Sequence, residues 1–518
     1  MNKWLSLAAS AAIVMTFAAC DGDDGADGAT GPQGEQGIQG EQGPAGTNSV
    51  SASSSREDFG KKWEDKLFIE SEKYLGFGGA LKYGFDTNVM RKDADEASDT
   101  ILLADGLTAS FLTRNAANKA DLFNFWPANT NNPTHIISCI EGGSETLDNG
   151  KMNPSVQSWD LATGEVKTIL RGMERCDGLR TTDWGTVVAT EETNDGGLYE
   201  IIDPLNVQDY TITDRDAGTI VQADGTTPAT KIVKRNVMAT MSWEGLTVLD
   251  SGVVIGGDEL RPGTGTNDVD GGAIFKFVPS TPRTTTGNIT DLSQSPLVAG
   301  SNYAMSVQCK DGTSQTGQGC EVGNAAWVSV NAETARADAN ANGATGYYRP
   351  EDLHMDPTFV GEDTDDIRFC WTNTGNEGAE HYGEIVCAVD TDPLNLVNDG
   401  TTTIVNRFIE GNPEFTSVDS LEFHPVTGDL YGIEDHKNGD VWACLKDGAD
   451  KDIKSDGCAR LLSVKDQSAE PTGFIFSPDG TKAYLSIQHS NDEDFALVDG
   501  YATDDIIVIE GFNKDFTK

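Results

Sequence analysis

Positive charge is scarce in this chain. Against 83 Asp and Glu it carries 37 Lys and Arg, a formal net charge of −46 over 518 residues. That balance argues against nucleic acid as a partner, because a phosphate backbone needs a basic face. It suits a heavily solvated surface, a saline habitat or Ca²⁺ binding. Histidine is scarce as well, six in all, which argues against a His-rich zinc site. Beyond the first 20 residues no apolar run is long enough to span a bilayer.

The one strongly apolar stretch is at the start. Lys3 supplies the charged end, Trp4 to Phe17 the apolar run, and Phe17-Ala-Ala-Cys20 follows, with Asp21 after it. Small residues before a cysteine resemble a bacterial lipobox, although Phe17 stands where Leu is usual. Residues 1–20 are therefore read as a lipoprotein signal peptide with Cys20 as the lipid attachment residue; cleavage after Ala19 is the alternative. Lipidation at Cys20 anchors an exported protein to a membrane, at the periplasmic or cell-surface side, without spanning it. Export exposes the remaining cysteines to oxidising conditions. Three pairs lie close in sequence: Cys309/Cys320, Cys370/Cys387 and Cys444/Cys458. Cys139 and Cys176 remain. They either pair with each other or leave Cys176 free as a ligand.

After Cys20, Gly recurs at every third position from Gly22 to Gly46, within a spacer at 21–47. The period is collagen-like, but Pro32 and Pro44 are the only prolines in it, so a triple helix and a flexible spacer both remain open. Residues 48–100 form a Ser-rich linker and a charged segment that the sequence does not assign. From 101 to 518 the texture is β. Six units share a grammar of apolar strand, turn, second strand ending in polar residues, and a later strand. They begin near Thr134, Gly178, Gly245, Asp352, Ser420 and Gly473. The turns read Thr163-Gly164, Asp183-Trp-Gly185, Asp250-Ser-Gly252, Thr427-Gly428 and Pro478-Asp-Gly480. Repeating sheet units predict an all-β fold, a six-bladed β-propeller preceded by a collagen-like spacer; a pair of β-sandwiches is the alternative.

In a propeller the first strands of the blades line a channel, so the residues that open them converge on one mouth. Those residues are Cys176-Asp177, Glu244, Glu351-Asp352, Asp419 and Glu470. The second strands end in Glu141, Glu191-Glu192, Asp258-Glu259, Asn373, Glu434-Asp435 and Gln488-His489. Two facing rings of carboxylates repel one another strongly, and multivalent cations are the natural neutralisers. Carboxylates suit Ca²⁺, and a thiolate among them suits a transition metal. Arg349 stands out in Gly346-Tyr-Tyr-Arg-Pro-Glu-Asp352 as a fixed cation two residues from Glu351, with Pro350 biasing it towards an extended backbone. Asp338-Ala-Asn-Ala-Asn-Gly343 has the spacing of an EF-hand start, but its twelfth position is Arg349 rather than Glu, so a working EF-hand is not expected.

The ordered set Cys176-Asp-Gly-Leu-Arg-Thr-Thr-Asp-Trp-Gly185, Thr190-Glu-Glu192, Glu244-Gly245, Arg349-Pro-Glu-Asp352, Asp419-Ser-Leu421 and Glu470-Pro-Thr-Gly-Phe-Ile-Phe-Ser-Pro-Asp-Gly480, running on to Ile487-Gln-His489, resembles the PhoX-type alkaline phosphatase family. The resemblance implies a six-bladed propeller hydrolysing phosphate monoesters with iron and calcium. Carried over by position, Cys176, Glu244, Glu351 and Asp419 are implied ligands of an iron pair. Glu191 and Asp435 are implied calcium ligands, and Arg349 the cation that contacts phosphate. Three positions depart from the pattern: Ser420 for Asn, Trp243 for His and Tyr348 for Asp. The n-region also lacks the Arg pair of a twin-arginine signal, which implies export of an unfolded chain and weighs against iron more than calcium.

The reading that follows is a metal-dependent phosphomonoesterase with Arg349 and Glu351 as catalytic residues. No serine nucleophile motif is evident, so a phosphoserine intermediate is not expected. A lactonase or phosphodiesterase on the same scaffold is one alternative. A non-catalytic surface protein, a stalk displaying a calcium-stabilised propeller, is another.

Overall fold

The computed structural model describes residues 56–128, 130–263, 271–307, 322–394, 403–446, 457–488 and 495–513. The signal with Cys20, the collagen-like spacer, the Cys309/Cys320 pair and His489 lie outside the described residues. The segment that the sequence left unassigned contains a helix, Arg56–Tyr74. The rest of the described chain is mostly β.

Six strands have a special place: Ala120–Trp126, Cys176–Thr181, Trp243–Val248, Pro350–Met355, Val418–Phe423 and Glu470–Phe476. Each neighbours the next, and the last neighbours the first, so they close a ring. From each a meander of antiparallel strands runs outwards, as in Cys176–Thr181, Thr186–Glu191, Leu198–Ile202 and Ile232–Lys234. Among the described residues the hydrogen-bonded sheets number five, because the strand Gly323–Val330 pairs on one side with Gly300–Val307 and on the other with Thr403–Glu410. That fuses two meanders into one nine-stranded sheet with an inner strand at each end. The early strand Thr108–Ala117 pairs with the late strand Thr503–Glu510 and completes the last sheet. The fold is β-propeller-like.

The hydrophobic cores lie between successive meanders. Trp184 and Trp243 share one core, Tyr347, Trp371 and Leu353 another, and Trp159 with Ile475 and Tyr484 fills the seam where the chain closes on itself. Trp159, Trp184, Trp243 and Trp371 are wholly buried; truncating such a side chain costs about 3–5 kcal/mol. The strands form because short apolar runs such as Thr186-Val-Val-Ala-Thr-Glu191 are bounded by turn residues. Gly185, at φ 76°, supplies the left-handed position of one such turn. Cys370–Cys387 and Cys444–Cys458 are disulfides between adjacent strands, as the spacing suggested.

Two expectations need correction. The first unit begins at Ala120, one strand earlier than Thr134, because its inner strand lacks the glycine that opens several of the others. Arg349 is left-handed (φ 59°) rather than extended, held by its amide donating to the Leu260 carbonyl and its carbonyl accepting from the Thr374 amide. The Asp338 segment is helical over Ala335–Ala341, with the Asp338 carboxylate accepting from Asn331 and Thr334.

Candidate metal and phosphate site

Five of the six inner strands begin in the same way. The second residue is an acid: Asp121, Asp177, Glu244, Glu351 and Asp419. In each case the pairing register shifts just there, between Ala120 and Phe123, Cys176 and Leu179, Trp243 and Leu246, Pro350 and Leu353, Val418 and Ser420. A bulge leaves its extra residue outside the ladder and re-aims its side chain. The acids are thereby turned out of their sheets. Four of these strands are preceded by a residue of positive φ, Lys119, Arg175, Arg349 and Ser417, a conformation that costs on the order of 1 kcal/mol in a non-glycine residue. The sixth strand opens on Glu470 instead.

The acids gather into two groups whose carboxylate oxygens lie within 4.8 Å of one another: Asp121 with Glu141 and Asp177, and Glu244 with Glu351 and Asp419. All but the half-buried Asp419 are buried. Burial first, and the charge of Glu141 next, push the Asp121 carboxyl up to about 7. Burial, then Asp121 and Glu192, hold Asp177 well above the ordinary range. Glu244 is raised by burial and by Glu351 and Asp419, and Asp419 by burial and by Glu351 and Asp435. Burial and the neighbouring Glu351 take Glu259 to about 7, with Arg349 pulling the other way. Asp177 Oδ1 and Glu351 Oε2 are buried with no hydrogen-bond partner. Unpartnered buried carboxylate oxygens in converging groups are a donor set awaiting a cation. Oxygen donors alone suit a hard cation.

Two arginines face this acid. Arg349 Nε donates to Glu259 Oε1 at 2.6 Å, and its Nη2 lies 2.9 Å from Glu351 Oε1. Arg175 Nη2 lies 2.6 Å from Glu141 Oε1 and 2.5 Å from Glu192 Oε2. Each arginine stands two residues before its bulge acid. Burial opposes the charge of Arg349, but Glu351 and Glu259 outweigh it and raise its pKa further.

Glu244, Glu351 and Asp419 thus come together with Arg349, as the sequence suggested. Asp435 is near them: it hydrogen-bonds Glu470, which burial and that contact raise, and its charge helps push the Asp419 carboxyl up. Glu191 belongs to neither group. Its carboxylate takes hydrogen bonds from Arg215 at 2.8 and 3.2 Å and from the Glu174 and Gly197 amides. The sequence left Cys176 as either a ligand or the partner of Cys139; it occupies the first strand position, before the bulge, and its sulfur is bonded to that of Cys139, a state in which it offers no thiolate. The bulge presents Asp177 instead. Sequence reasoning passed over Asp121, whose strand it did not recognise, and Arg175; the shared Arg-x-acid spacing at Arg175 and Arg349 was the available signal.

A β-propeller-like ring with buried acid groups at one mouth and arginines beside them defines a metal-binding protein built to hold an anion against cations. Comparison with known proteins narrows this. The model of the alkaline phosphatase PhoX family matches residues 157–491. The chain belongs to that family, one of metal-dependent phosphatases. Among solved structures it is similar to Pseudomonas fluorescens PhoX in complex with vanadate, a transition-state analogue, at 16% identity and a TM-score of 0.51, covering 84% of this chain and 98% of that one. A gluconolactonase from Xanthomonas campestris matches at 13% identity and a TM-score of 0.36, over 84% and 98% of the two chains. A PQQ-bound aldose sugar dehydrogenase from Streptomyces coelicolor matches at 9% and 0.40, over 79% and 99%. The search of curated proteins finds no match.

Proposed function

We propose that the chain is a phosphate monoester hydrolase whose site is the mouth of a six-bladed propeller, the nine-stranded sheet counting as two blades. The observation that carries the reading is the pair of buried carboxylate groups with Arg349 and Arg175 set beside them. Glu244, Glu351 and Asp419 would hold one cation and Asp121, Glu141 and Asp177 another, with Asp435 and Glu470 close by. Calcium fits these all-oxygen sets. Iron, implied by the resemblance together with a thiolate, would have to be held by carboxylates alone. Bound cations would neutralise the acid ring and supply Lewis acidity towards a phosphoryl oxygen.

The chain's own residues do the rest. Glu259 and Glu351 fix the guanidinium of Arg349 from two sides, so its remaining N–H groups are already oriented when a phosphate arrives. Arg175, half exposed, is held likewise by Glu141 and Glu192. Charge-assisted donors fixed in this way bind the equatorial phosphoryl oxygens and stabilise the charge that grows on them during transfer. Among the described residues no helix is long and apolar enough to cross a membrane. An exported lipoprotein anchored through Cys20, acting on phosphate esters outside the cytoplasm, is the setting we infer.

The test uses the purified chain. Metal content is measured, and hydrolysis of an aryl phosphate is followed before and after chelation and on return of Ca²⁺, with and without iron. Activity that disappears with chelation and returns with cation is expected. A chain that carries its cations and leaves aryl and alkyl phosphates untouched would overturn the reading.

A further inference from the structure

Beneath the Glu244–Glu351–Asp419 group lies a set of charges that the proposed chemistry does not use. We propose that Asp352 is a positioning residue, held in place by Arg180 and His354, that fixes the spacing of these three carboxylates and so sets the cation affinity of the mouth. The inference rests on the reading of that group as a cation site.

Asp352 is wholly buried where the three strands meet. It follows Glu351 directly. Its Oδ2 accepts the amide of Leu421 at 3.1 Å, two residues past Asp419. A Cβ on Gly245, the neighbour of Glu244, would lie 2.2 Å from the Asp352 Cα, so the third strand rests against the same residue. The hydroxyl of Thr372 donates to the Asp419 carbonyl and lies 3.4 Å from the Asp352 carbonyl, binding the two bulges a second time. Every strand that contributes a carboxylate to the group therefore touches Asp352 or its backbone.

The carboxylate of Asp352 is itself fixed. Arg180 Nη2 reaches over from the strand that carries Asp177, donating to Asp352 Oδ1 at 3.0 Å and to the Leu353 carbonyl at 2.9 Å. His354 Nε2 lies 3.0 Å from Asp352 Oδ2, and its Nδ1 lies 3.1 Å from Glu422 Oε2. A ring whose two nitrogens both face carboxylates donates from both and is a cation. Glu422 lies on the strand of Asp419, so His354 ties the strands of Glu351 and Asp419 together once more. Both oxygens of Asp352 are thus engaged by the protein, Oδ1 by Arg180 and Oδ2 by His354 and the Leu421 amide. A cation at the mouth has no need to compete for this carboxylate, because protein charges already satisfy it. Partners that orient ligand-bearing groups without touching the ion typically change metal affinity about 10–100-fold when lost.

Calcium titration calorimetry of the chelator-stripped chain tests this, with thermal unfolding and steady-state aryl phosphate hydrolysis alongside. For Asp352→Asn we expect Ca²⁺ binding weakened about 10–100-fold, kcat lowered more than KM is raised, and unfolding still cooperative. His354→Gln leaves Asp352 its Arg180 and Leu421 contacts and should weaken binding severalfold. If the wild-type chain binds no Ca²⁺, the cation reading itself fails, and this inference falls with it. If the wild type binds and a folded Asp352→Asn binds equally well, the positioning role alone is overturned. Should Asp352→Asn not fold, unchanged Ca²⁺ affinity and kcat in His354→Gln overturn it in the same way.

Discussion

Stripping the cations should make this protein less stable as pH rises, and the structure gives the size of the effect. Asp121 has a folded-state pKa of about 7 against an ordinary value of 3.8, and Glu259 about 7 against 4.5. A carboxyl raised in the folded state binds its proton more tightly there than in the unfolded chain. Its stabilising contribution is full below pH ~4 and is lost as pH rises through ~7. At about 1.4 kcal/mol for each pH unit between the two values, Asp121 accounts for about 4 kcal/mol and Glu259 for about 3. Asp177, Glu244, Asp419 and Glu470 are raised too and act in the same direction. Unfolding entropy of roughly 2 cal/mol/K per residue, over a unit of this size, makes 1 kcal/mol worth about 1 °C. The apo chain should therefore melt about 5–10 °C lower at pH 8 than at pH 5, and saturating Ca²⁺ should restore the loss at pH 8. Differential scanning fluorimetry in chelator reads both. The same melts in 0.5 M monovalent salt separate this from surface repulsion, which salt screens while leaving buried groups nearly untouched. An apo melting temperature equal at pH 5 and pH 8, or one that Ca²⁺ leaves unmoved, would refute the reasoning.

Other expectations follow from single residues. Arg349→Ala should keep the fold and lower kcat for aryl phosphates about 10²–10³-fold, and Arg349→Lys should lose most activity too, since an ammonium cannot reproduce the fork held by Glu259 and Glu351. Glu191→Gln and Glu192→Gln should part company: the first leaves buried contacts of Arg215 uncompensated and costs about 2 kcal/mol or more in denaturant melts, while the second, beside Arg175, shifts cation affinity. Thiol titration of the denatured chain should find Cys139 and Cys176 unreactive, and replacing both by Ser should cost about 4 kcal/mol for a loop closed over 37 residues. Two reactive thiols there, in active protein, would restore Cys176 as a ligand. Gly245→Ala should disrupt the inner ring, because the added carbon meets backbone rather than a movable side chain, and a folded, fully active variant would contradict that packing.

The sequence by itself determined the sheet units, their turns and the recurrence of acids near strand starts, because strand period and turn chemistry are local. Arg349, Glu351, Glu244 and Asp419 could be named on that basis, as could two of the disulfides, whose partners lie only 17 and 14 residues apart on adjacent strands. Which side of a strand an acid faces is another matter. A shift of one position turns a side chain to the opposite face, and the shift is made by bulges that depend on the pairing of strands already folded. That is why the sequence could name the pairs Cys176-Asp177 and Glu191-Glu192 but not which member of each pair joins the acids of the mouth. Asp121 needed closure of the ring, since its strand is recognisable only once it lies between Glu470–Phe476 and Cys176–Thr181. The contact of Arg180 with Asp352 joins residues 172 apart in sequence, and no local rule reaches that far. The composition fixed that the protein is acidic; only the tertiary structure decided which acids gather into groups that could hold a cation and which, like Asp352, are engaged by its own side chains below them.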